Sequence, residues 1–410
     1  MFARHYMKQN KTILLFGTGE LQKSLILRAK AQGLFVVGID PSESAACKKE
    51  VDAFEVIDGR DFNGTIKVAK KYDASAIITT ATDKPLRMMA KVAKAISAPF
   101  FSEDTAIAST DKFKMKELFM LNGIPCAKGR LIREAEESGD LKFPLIVKPR
   151  DNSGSRGVKL CHDIDELREN IREACHFTKM DSVLVEEYIE GPEYSIESLH
   201  QKGKSFIIQF TEKKTTQKPY NVELGHKEPA NLTEEIRSSI TVLIRKIANS
   251  LGFDNCASHT ELKINKQGIY VIETSPRLGG DFITSHLVPL STGINIEDQL
   301  INIAMGKPID LKPVTEPGAS GICFFNFPNG KIIRIDPKIV VVNDWDGVHL
   351  FRLNLHDGDR IPEIKNSIDR YGEIIVKGKD RLDLDKKLED YENKLENFIN
   401  FKNISEKNDE

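Results

Sequence analysis

The 410-residue sequence lacks the long apolar segments and the charge excess that mark membrane and nucleic-acid-binding proteins. We find no run of about 18 apolar residues that would predict a transmembrane helix, and the polar first eleven residues do not indicate a secretory signal. Lysine and arginine number 59 against 61 aspartate and glutamate, so a basic surface for nucleic acid or an anionic membrane is not predicted. We therefore expect a cytoplasmic protein whose partners are small molecules, with neither nucleic acid nor a membrane among them.

The six cysteines are scattered and contain no C-x-x-C pair. This spacing argues against a zinc ribbon and against a disulfide framework, so we expect reduced and mostly buried thiols. The length predicts two to four domains at about 100–200 residues per domain.

The first hundred residues alternate short apolar runs with segments of helical periodicity. Strands are predicted at 13–16, 35–39 and 76–79, with a helix over 82–96. Strands that alternate with helices predict a parallel, doubly wound sheet, so this part is expected to be Rossmann-like.

A glycine turn follows the first predicted strand. Gly17 and Gly19, with Asp40 further on, resemble part of a dinucleotide-binding fingerprint, but Gln22 stands where the third glycine belongs. An NAD-dependent oxidoreductase is therefore kept only as an alternative. We favour a glycine turn that binds another ligand or that only reverses the direction of the chain.

A second pattern, strand then glycine loop then strand, begins at residue 145. Lys148 ends the first strand, and the small residues of 152–157 follow. A lysine beside such a loop can present a cation and several backbone N–H groups to phosphates, although an ordinary hairpin turn is equally compatible. Further on, a strand over 183–189 ends in acidic residues and is followed by Glu193, an arrangement that suits an adenine and ribose site or a strand end turned to solvent.

The strongest local signal is a β-hairpin over 258–277 with its turn at 265–268. An odd-length loop would place Glu261 directly opposite Glu273, with Cβ atoms roughly 4.5–5.5 Å apart. Two carboxylates in such a position repel unless a cation lies between them, which predicts a Mg²⁺ site. His259 and Lys263 fall on the same face as Glu261, and a structural role for this histidine is favoured over a functional one.

Taken in order, these motifs resemble the ATP-grasp superfamily over about residues 11–307. The resemblance implies that ATP and magnesium are bound, as one or two ions with manganese as a substitute. It implies that the phosphates contact Lys112 and Lys148 and a closing loop of Ser153, Gly154, Ser155 and Gly157. Adenine would be held by Glu186, Glu187, Tyr188 and Ile189, and ribose by Glu193. The metal ions would be bound by Glu261, Glu273 and Ser275. Ser275 stands where the family usually has asparagine, and its hydroxyl is a shorter and weaker ligand.

Within the superfamily, residues 221–229 and 277–282 are most similar to the L-amino-acid ligases that make dipeptides. The resemblance implies a substrate pocket with Glu223, His226, Arg277, Gly279 and Gly280, in which Arg277, Lys148 and His226 are catalytic. The implied reaction is ADP-forming ligation of a carboxylate to an amine through an acyl phosphate. An ATP-grasp carboxylase or a formate-using ligase of nucleotide biosynthesis is the alternative within the superfamily, and a non-catalytic ATP-binding regulator is another.

The expected architecture combines α/β and α+β domains. We predict a Rossmann-like domain that precedes the ATP-grasp domain over 1–110, an ATP-grasp domain of two α+β subdomains over 111–312, and a small β-rich cap over 313–410. Within the cap we expect a strand near 339–342 and a terminal helix over 382–401. Relatives with this domain order are often dimers, so a homodimer is one expected state.

Overall fold

The computed structural model describes residues 11–152, 154–216 and 220–403. The helices are α1 Lys23–Ala31, α2 Phe62–Lys71, α3 Leu86–Ala95, α4 Glu103–Thr110, α5 Lys112–Leu121, α6 Ile164–Cys175, α7 Glu234–Leu251, α8 Val288–Thr292, α9 Ile296–Ala304 and α10 Arg381–Leu395. The strands up to the middle of the chain are β1 Thr12–Phe16, β2 Phe35–Asp40, β3 Ala53–Val56, β4 Ala74–Thr79, β5 Gly129–Ile132, β6 Leu145–Lys148, β7 Lys159–Cys161, β8 Val183–Glu187 and β9 Glu193–Gln201. The later strands are β10 Lys204–Thr215, β11 Glu223–Glu228, β12 Cys256–Asn265, β13 Gly268–Ser275, β14 Ala319–Phe324, β15 Gly330–Ile335, β16 Val348–Leu353, β17 Gly372–Gly378 and β18 Ile399–Asn403.

The first four strands form a parallel sheet in the order β3-β2-β1-β4. Both faces of β1 are buried: Leu14 and Phe16 belong to one apolar core, and Ile13 and Leu15 belong to another. A sheet covered on both faces by apolar residues is the expected consequence of helices alternating with strands. The predicted doubly wound N-terminal part is confirmed.

Gln22, rather than a glycine, closes the turn after β1. Its side-chain oxygen accepts a hydrogen bond from the Gly19 N–H at 3.1 Å, and its amide donates to the Thr80 carbonyl at 2.8 Å. Asp40 is also engaged, since one of its carboxylate oxygens accepts from the Thr18 N–H at 2.9 Å. The turn is thus filled by its own side chains, which argues against a pyrophosphate lying there.

Helix boundaries follow the capping residues in the sequence. α5 begins after Asp111, whose carboxylate accepts from the Phe113 and Lys114 N–H groups, and α7 begins after Thr233 and ends at Gly252 in the left-handed region. These side chains and the glycine satisfy backbone groups that the helix ends would otherwise leave unpaired.

A small antiparallel sheet and a large one form the rest of the molecule. The small sheet has the order β5-β8-β6-β7, and α6 packs on it. The large sheet has the order β13-β12-β9-β10-β11-β14-β17-β16, so pairing of β11 with β14 carries it across residue 312. The division of the chain at that residue stays a prediction.

Two expectations for the C-terminal part are wrong. Residues 339–342 are not a strand but belong to a 3₁₀ helix, Pro337–Asp344, because Pro337 occupies its first turn and the Asp336 carboxylate caps it by accepting the Lys338 N–H. The terminal helix also stops earlier than predicted, at Leu395. After a 3₁₀ turn the chain forms β18, which has alternating apolar residues and pairs with β15 in a separate two-stranded sheet.

No helix in the described part of the chain has both the length and the apolar character needed to cross a membrane.

A buried histidine on β9 makes stability depend on pH. His200 is 1% exposed and lies between the hydroxyls of Ser205 (2.9 Å) and Ser258 (2.8 Å). Burial lowers the pKa of His200 to about 4, whereas an unfolded histidine has a pKa of about 6.5. The neutral ring is therefore favoured in the folded state, and its contribution is complete above pH 6.5 and lost as the pH falls towards 4.

We predict that this histidine removes about 3 kcal/mol from the free energy of unfolding between pH 7 and pH 4. Urea unfolding at pH 7.5, 5.5 and 4.5 measures this loss. His200→Gln, which cannot take up a proton, is expected to lose less stability than the wild type over the same range. Equal losses in both proteins would contradict the prediction.

Candidate active site

A solvent-open cleft of about 1010 Å³ between the small and large sheets collects most of the predicted nucleotide residues. Its lining includes Lys112, Lys148, Gly154, Ser155, Glu186, Glu187, Tyr188, Ile189, Glu193, Glu223, Glu261 and Glu273. The lining does not include six other predicted site residues, which are Gly157, His226, Ser275, Arg277, Gly279 and Gly280. Ser153 is not among the residues that the structure describes. Residues from distant parts of the sequence therefore meet in one cleft, while their individual roles stay predictions.

A buried ion-pair network forms one wall of the cleft. Antiparallel pairing of β6 with β8 brings Lys148 Nζ to 2.6 Å from one oxygen of Glu186, and Lys116 Nζ from α5 lies 2.5 Å from the other oxygen. Burial acts to raise the pKa of Glu186, but the charges of Lys148 and Lys116 outweigh it and lower the pKa to about 2. Glu186 is thus a counter-ion for two lysines, and Lys116 is a residue that sequence reasoning missed.

The segment predicted to hold adenine, residues 186–189, begins in the last two residues of β8. The Glu187 N–H donates to the Lys128 carbonyl and the Tyr188 N–H donates to the Pro144 carbonyl. Lys263 lies over the Tyr188 ring, with its Nζ 4.6 Å from the ring centroid. Because these two N–H groups already have partners, a base bound here would be recognised by other backbone groups of the segment.

Lys213 on β10 is the centre of the charged cluster in the large sheet. Its Nζ lies 3.0 Å from Glu193, 2.7 Å from Glu261 and 3.3 Å from Glu223. Burial acts to lower the pKa of Lys213, but the charges of Glu261, Glu193 and Glu223 keep it well above its ordinary value. No motif marks this lysine in the sequence. It meets the three carboxylates because β10 pairs with β9 and β9 pairs with β12.

The same cluster has the donor atoms that a divalent cation requires. Glu193, Glu223 and Glu261 each offer one oxygen, and these oxygens lie within 4.8 Å of one another. Three carboxylates against one lysine leave two formal negative charges, and oxygen donors of this kind suit Mg²⁺. The chemistry of these residues therefore fits the metal that the sequence predicts, although only Glu261 belongs to both the predicted and the observed trio.

The predicted pair of glutamates in the hairpin is observed, although the loop has two residues rather than an odd number and a register shift between Glu261 and Leu262 produces the pairing. Glu261 pairs directly with Glu273 across β12 and β13. Glu273 forms an ion pair with Lys112, and the Ser275 hydroxyl donates to Asp83 at 2.6 Å. The remaining predicted metal ligands are thus held by protein partners, and their roles stay predictions.

The glycine loop after β6 lies at the cleft, where its backbone takes up left-handed conformations at Gly154 (φ +70°), Ser155 (+55°) and Gly157 (+75°). A Cβ atom on Gly157 would lie 2.7 Å from the Phe177 ring, so a glycine is required there for space as well as for conformation. The Ser155 hydroxyl donates to the Asn221 carbonyl at 3.1 Å, which joins the loop to the chain just before β11. This contact joins two segments that both line the cleft.

Arg277 follows β13 and is held by the N-terminal domain. Its Nε lies 2.8 Å and its Nη2 lies 3.0 Å from the two oxygens of Asp83. Burial acts to raise the pKa of Asp83, but Arg277 and the Ser275 hydroxyl lower it to about 2. The carboxylate that orients Arg277 therefore comes from a segment almost two hundred residues earlier, a contact that spacing alone does not indicate.

His259 has two carboxylate partners. Its Nδ1 is bound to Glu197 on β9, and its Nε2 lies 3.3 Å from Glu261. Burial acts to lower the pKa of His259, but the charge of Glu197 and hydrogen bonds to both glutamates raise it to about 9. The histidine is therefore a protonated link between two strands, and Glu197 is another residue that sequence reasoning missed.

The predicted substrate residues meet a side chain from the C-terminal part. Asp281 accepts two hydrogen bonds of 2.7 Å from Arg370, and His226 Nε2 lies 3.5 Å from the same carboxylate. Arg370 also stacks on Phe324, with its guanidinium carbon 3.7 Å from the ring centroid. His226 is 1% exposed, and its Nδ1 has no hydrogen-bond partner within the described residues. Glu223 and His226 thus lie on one strand, next to a charged pair that joins two parts of the chain.

Comparison with known proteins agrees with this geometry. The ATP-grasp domain family matches residues 141–285. The chain is 27% identical over 275 residues to the alanine–anticapsin ligase of Bacillus subtilis (60% of this chain, 57% of that protein). It is 25% identical over 334 residues to the formate-dependent phosphoribosylglycinamide formyltransferase of Saccharolobus solfataricus (76% and 80%). The match thus spans little more than half the length of the anticapsin ligase.

The fold is also that of solved ATP-grasp proteins. The crystal structure of an L-amino acid ligase from Bacillus licheniformis superposes with a TM-score of 0.80 at 21% identity, covering 97% of this chain and 99% of that one. At this identity the likeness establishes the fold alone. Residues 141–285 thus match the ATP-grasp domain family, and the fold over nearly the whole chain is similar to that of a solved L-amino acid ligase.

Proposed function

We propose that this protein is an ATP-dependent, ADP-forming ligase that joins the carboxylate of an amino acid, or of a similar molecule, to an amine. The single observation that carries the proposal is the position of Lys213. This lysine binds Glu193 and Glu261 of the nucleotide set and Glu223 of the substrate set within 3.3 Å. A molecule bound at Glu223 would therefore lie beside the phosphates of a nucleotide in the cleft.

In the first step, a substrate carboxylate oxygen attacks the γ-phosphorus of ATP, the bond to ADP breaks, and an acyl phosphate forms. Lys148 and Lys112 line the cleft where the phosphates would lie, and their charges would stabilise the negative charge that spreads over the transferring oxygens. Glu261 and Glu193, with Glu273 opposite Glu261, would hold magnesium, which would supply further positive charge to the phosphates, and Glu223 would remain for the substrate.

In the second step, the amine attacks the activated carbonyl and phosphate leaves. Arg277, which Asp83 holds through two hydrogen bonds, would stabilise the oxyanion of the tetrahedral intermediate. Water would hydrolyse the acyl phosphate, so the site must close before the first step. The loop of Gly154 and Ser155, which contacts Asn221, is positioned to do this.

Charge on the substrate side favours an amino acid over a very small acid. The Glu223 carboxylate lines the cleft, 3.3 Å from Lys213 Nζ, whereas the Asp281 carboxylate is paired with Arg370. An acid at the position of Glu223 suits an ammonium group, which formate and bicarbonate lack. His226, next to Asp281, would orient the substrate or accept a proton from the attacking amine.

The alternative is a carboxylase or a formate-using ligase of nucleotide biosynthesis. The similarity to the formyltransferase, which extends over 76% of this chain, supports it. ATP turnover that depends on formate or bicarbonate would favour this alternative.

We also propose the domain limits 1–110, 111–312 and 313–410, a cytoplasmic location and assembly as a homodimer. A protein of similar fold, the biotin carboxylase domain of the Hydrogenobacter thermophilus 2-oxoglutarate carboxylase, forms a dimer in its crystal structure, which supports the assembly proposal. Analytical ultracentrifugation of the purified chain tests it.

For the ligase itself, we predict release of ADP and phosphate that depends on both an amino acid carboxylate and an amine. Incubation with ATP, Mg²⁺ and pairs of amino acids, with phosphate detection and mass spectrometry of the condensed product, measures this. Formation of AMP, or turnover that does not depend on the amine, would overturn the proposal.

Removing the carboxylate of Glu273 should impair the metal site, because this residue faces Glu261 across the hairpin. We expect Glu273→Ala to lower kcat on the order of 100-fold or more and to weaken Mn²⁺ binding in the ADP complex. Glu190→Ala, at an exposed glutamate before β9, is the matched control. Full turnover in the Glu273 variant would contradict the metal assignment.

Lys116 should support nucleotide binding through Glu186. We expect Lys116→Met to cost about 3 kcal/mol of unfolding free energy, because it removes one partner of a buried carboxylate. The freed oxygen of Glu186 would also draw Lys148 away from phosphate and weaken ATP binding on the order of 10-fold. Lys114→Met, an exposed lysine on the same helix, is the control. Calorimetric ATP titration of both variants checks the difference.

A further inference from the structure

Glu197 on β9 is a completely buried carboxylate that the reaction described above does not use. One of its oxygens accepts the Gly279 N–H at 3.1 Å, and the other is bound to His259 Nδ1. Gly279 lies two residues after Arg277, in the segment predicted to contact the substrate. A single side chain thus joins the substrate segment to the centre of the large sheet.

The connection continues beyond His259. The second nitrogen of this histidine lies 3.3 Å from an oxygen of Glu261, and the same oxygen lies 2.7 Å from Lys213 Nζ. A continuous series of hydrogen bonds therefore runs from the Gly279 backbone, through Glu197 and His259, to the candidate metal cluster.

The absence of a side chain at residue 279 is required by this connection. A Cβ atom there would lie 2.7 Å from the Glu197 oxygen and 2.7 Å from His259 Nδ1. The backbone of Gly279 is outside the left-handed region, so an alanine would be compatible with its conformation. The glycine is thus needed for the close approach alone.

A second buried glutamate has no ionic partner among the contacts described. Glu228 on β11 is equally buried, but it is bound to the hydroxyls of Thr211 (2.8 Å) and Ser291 (2.9 Å). Burial raises the pKa of Glu228 to about 8, which favours its neutral form relative to an exposed glutamate. Buried ion pairs add little to stability relative to uncharged residues of similar size, whereas they fix the positions of the groups they join.

We propose that Glu197 is a positioning residue that, through His259, fixes Glu261 of the metal cluster relative to the Gly279 segment. A shift of Gly279 when substrate binds would move Glu197 and be transmitted to Glu261. The consequence for the reaction rests on the proposed ligase function, but the effect on metal binding does not. Hydrogen-bond partners behind a metal ligand typically change metal affinity 10–100-fold.

The first test compares Glu197→Gln with Glu228→Gln. Both replacements keep size and burial, but only the first alters the connection between Gly279 and His259. We expect Mn²⁺ binding to the ADP complex, measured by electron paramagnetic resonance, to weaken at least 10-fold in Glu197→Gln and to stay unchanged in Glu228→Gln. We also expect kcat to fall in the first variant with the KM for ATP changed less than threefold.

The second test leaves Glu197 in place and perturbs it from the other side. Gly279→Ala should weaken Mn²⁺ binding in the same way, and combining it with Glu197→Gln should add little, because both changes break one connection. Gly280→Ala is the matched control for metal affinity, since its Cβ would meet only Ala81 at 3.6 Å and Leu21 at 3.8 Å. If Glu197→Gln fails to fold, Gly279→Ala alone decides.

Wild-type Mn²⁺ affinity in both Glu197→Gln and Gly279→Ala would overturn the proposal, even if their melting temperatures fall, because a purely structural role predicts that result. If the variants lose metal affinity while the wild type shows no ligase activity with any amino acid pair, the positioning role stands and the proposed reaction fails. The two conclusions are therefore separable.

Discussion

The cation of Lys213, buried among three carboxylates, is the interaction on which the candidate site depends. Without it, Glu193, Glu223 and Glu261 would place three like charges within 4.8 Å in the interior of a sheet. With it, the cluster keeps two formal negative charges, enough to attract a divalent cation but not enough to make the sheet unstable. The group formed by Lys148, Lys116 and Glu186 is also only partly neutralised, but its net charge has the opposite sign. Two lysines and one carboxylate leave one formal positive charge, which suits phosphate.

The other constraint is the meeting of three parts of the chain at residues 277–282. Asp83 from the N-terminal part orients Arg277, and Arg370 from the C-terminal part holds Asp281. Arg352 closes the group, because its Nη2 lies 2.9 Å from Glu20 beside the glycine turn. Each pair joins two parts of the molecule, so the geometry of this segment depends on the packing of all three. The glycine turn that resembles a dinucleotide motif thus contributes to this junction, with Gln22 filling the space that a pyrophosphate would need.

Much of this arrangement could be predicted from local sequence. Capping residues such as Asp111 and Thr233 set helix starts, because they satisfy N–H groups that have no other partner. The hairpin and its turn follow from alternation and turn residues, but the pairing of Glu261 with Glu273 also requires a register shift next to Glu261, which the sequence does not reveal. The wrong expectations fall in the C-terminal part. Local periodicity does not distinguish the 3₁₀ helix that begins at Pro337 from a strand, and it does not reveal that the last residues pair with β15 as β18.

The sequence by itself determined the order of strands and helices, the glycine loop, and the acids and lysines that line one cleft, because each of these follows from a short pattern. Only the tertiary structure decided which charges neutralise one another. Lys213, Lys116, Asp83, Arg370 and Glu197 lie in no recognisable motif, and their partners are between 20 and about 190 residues away in most cases. Electrostatic energy depends on distance in space and on burial, and neither can be read from separation along the chain.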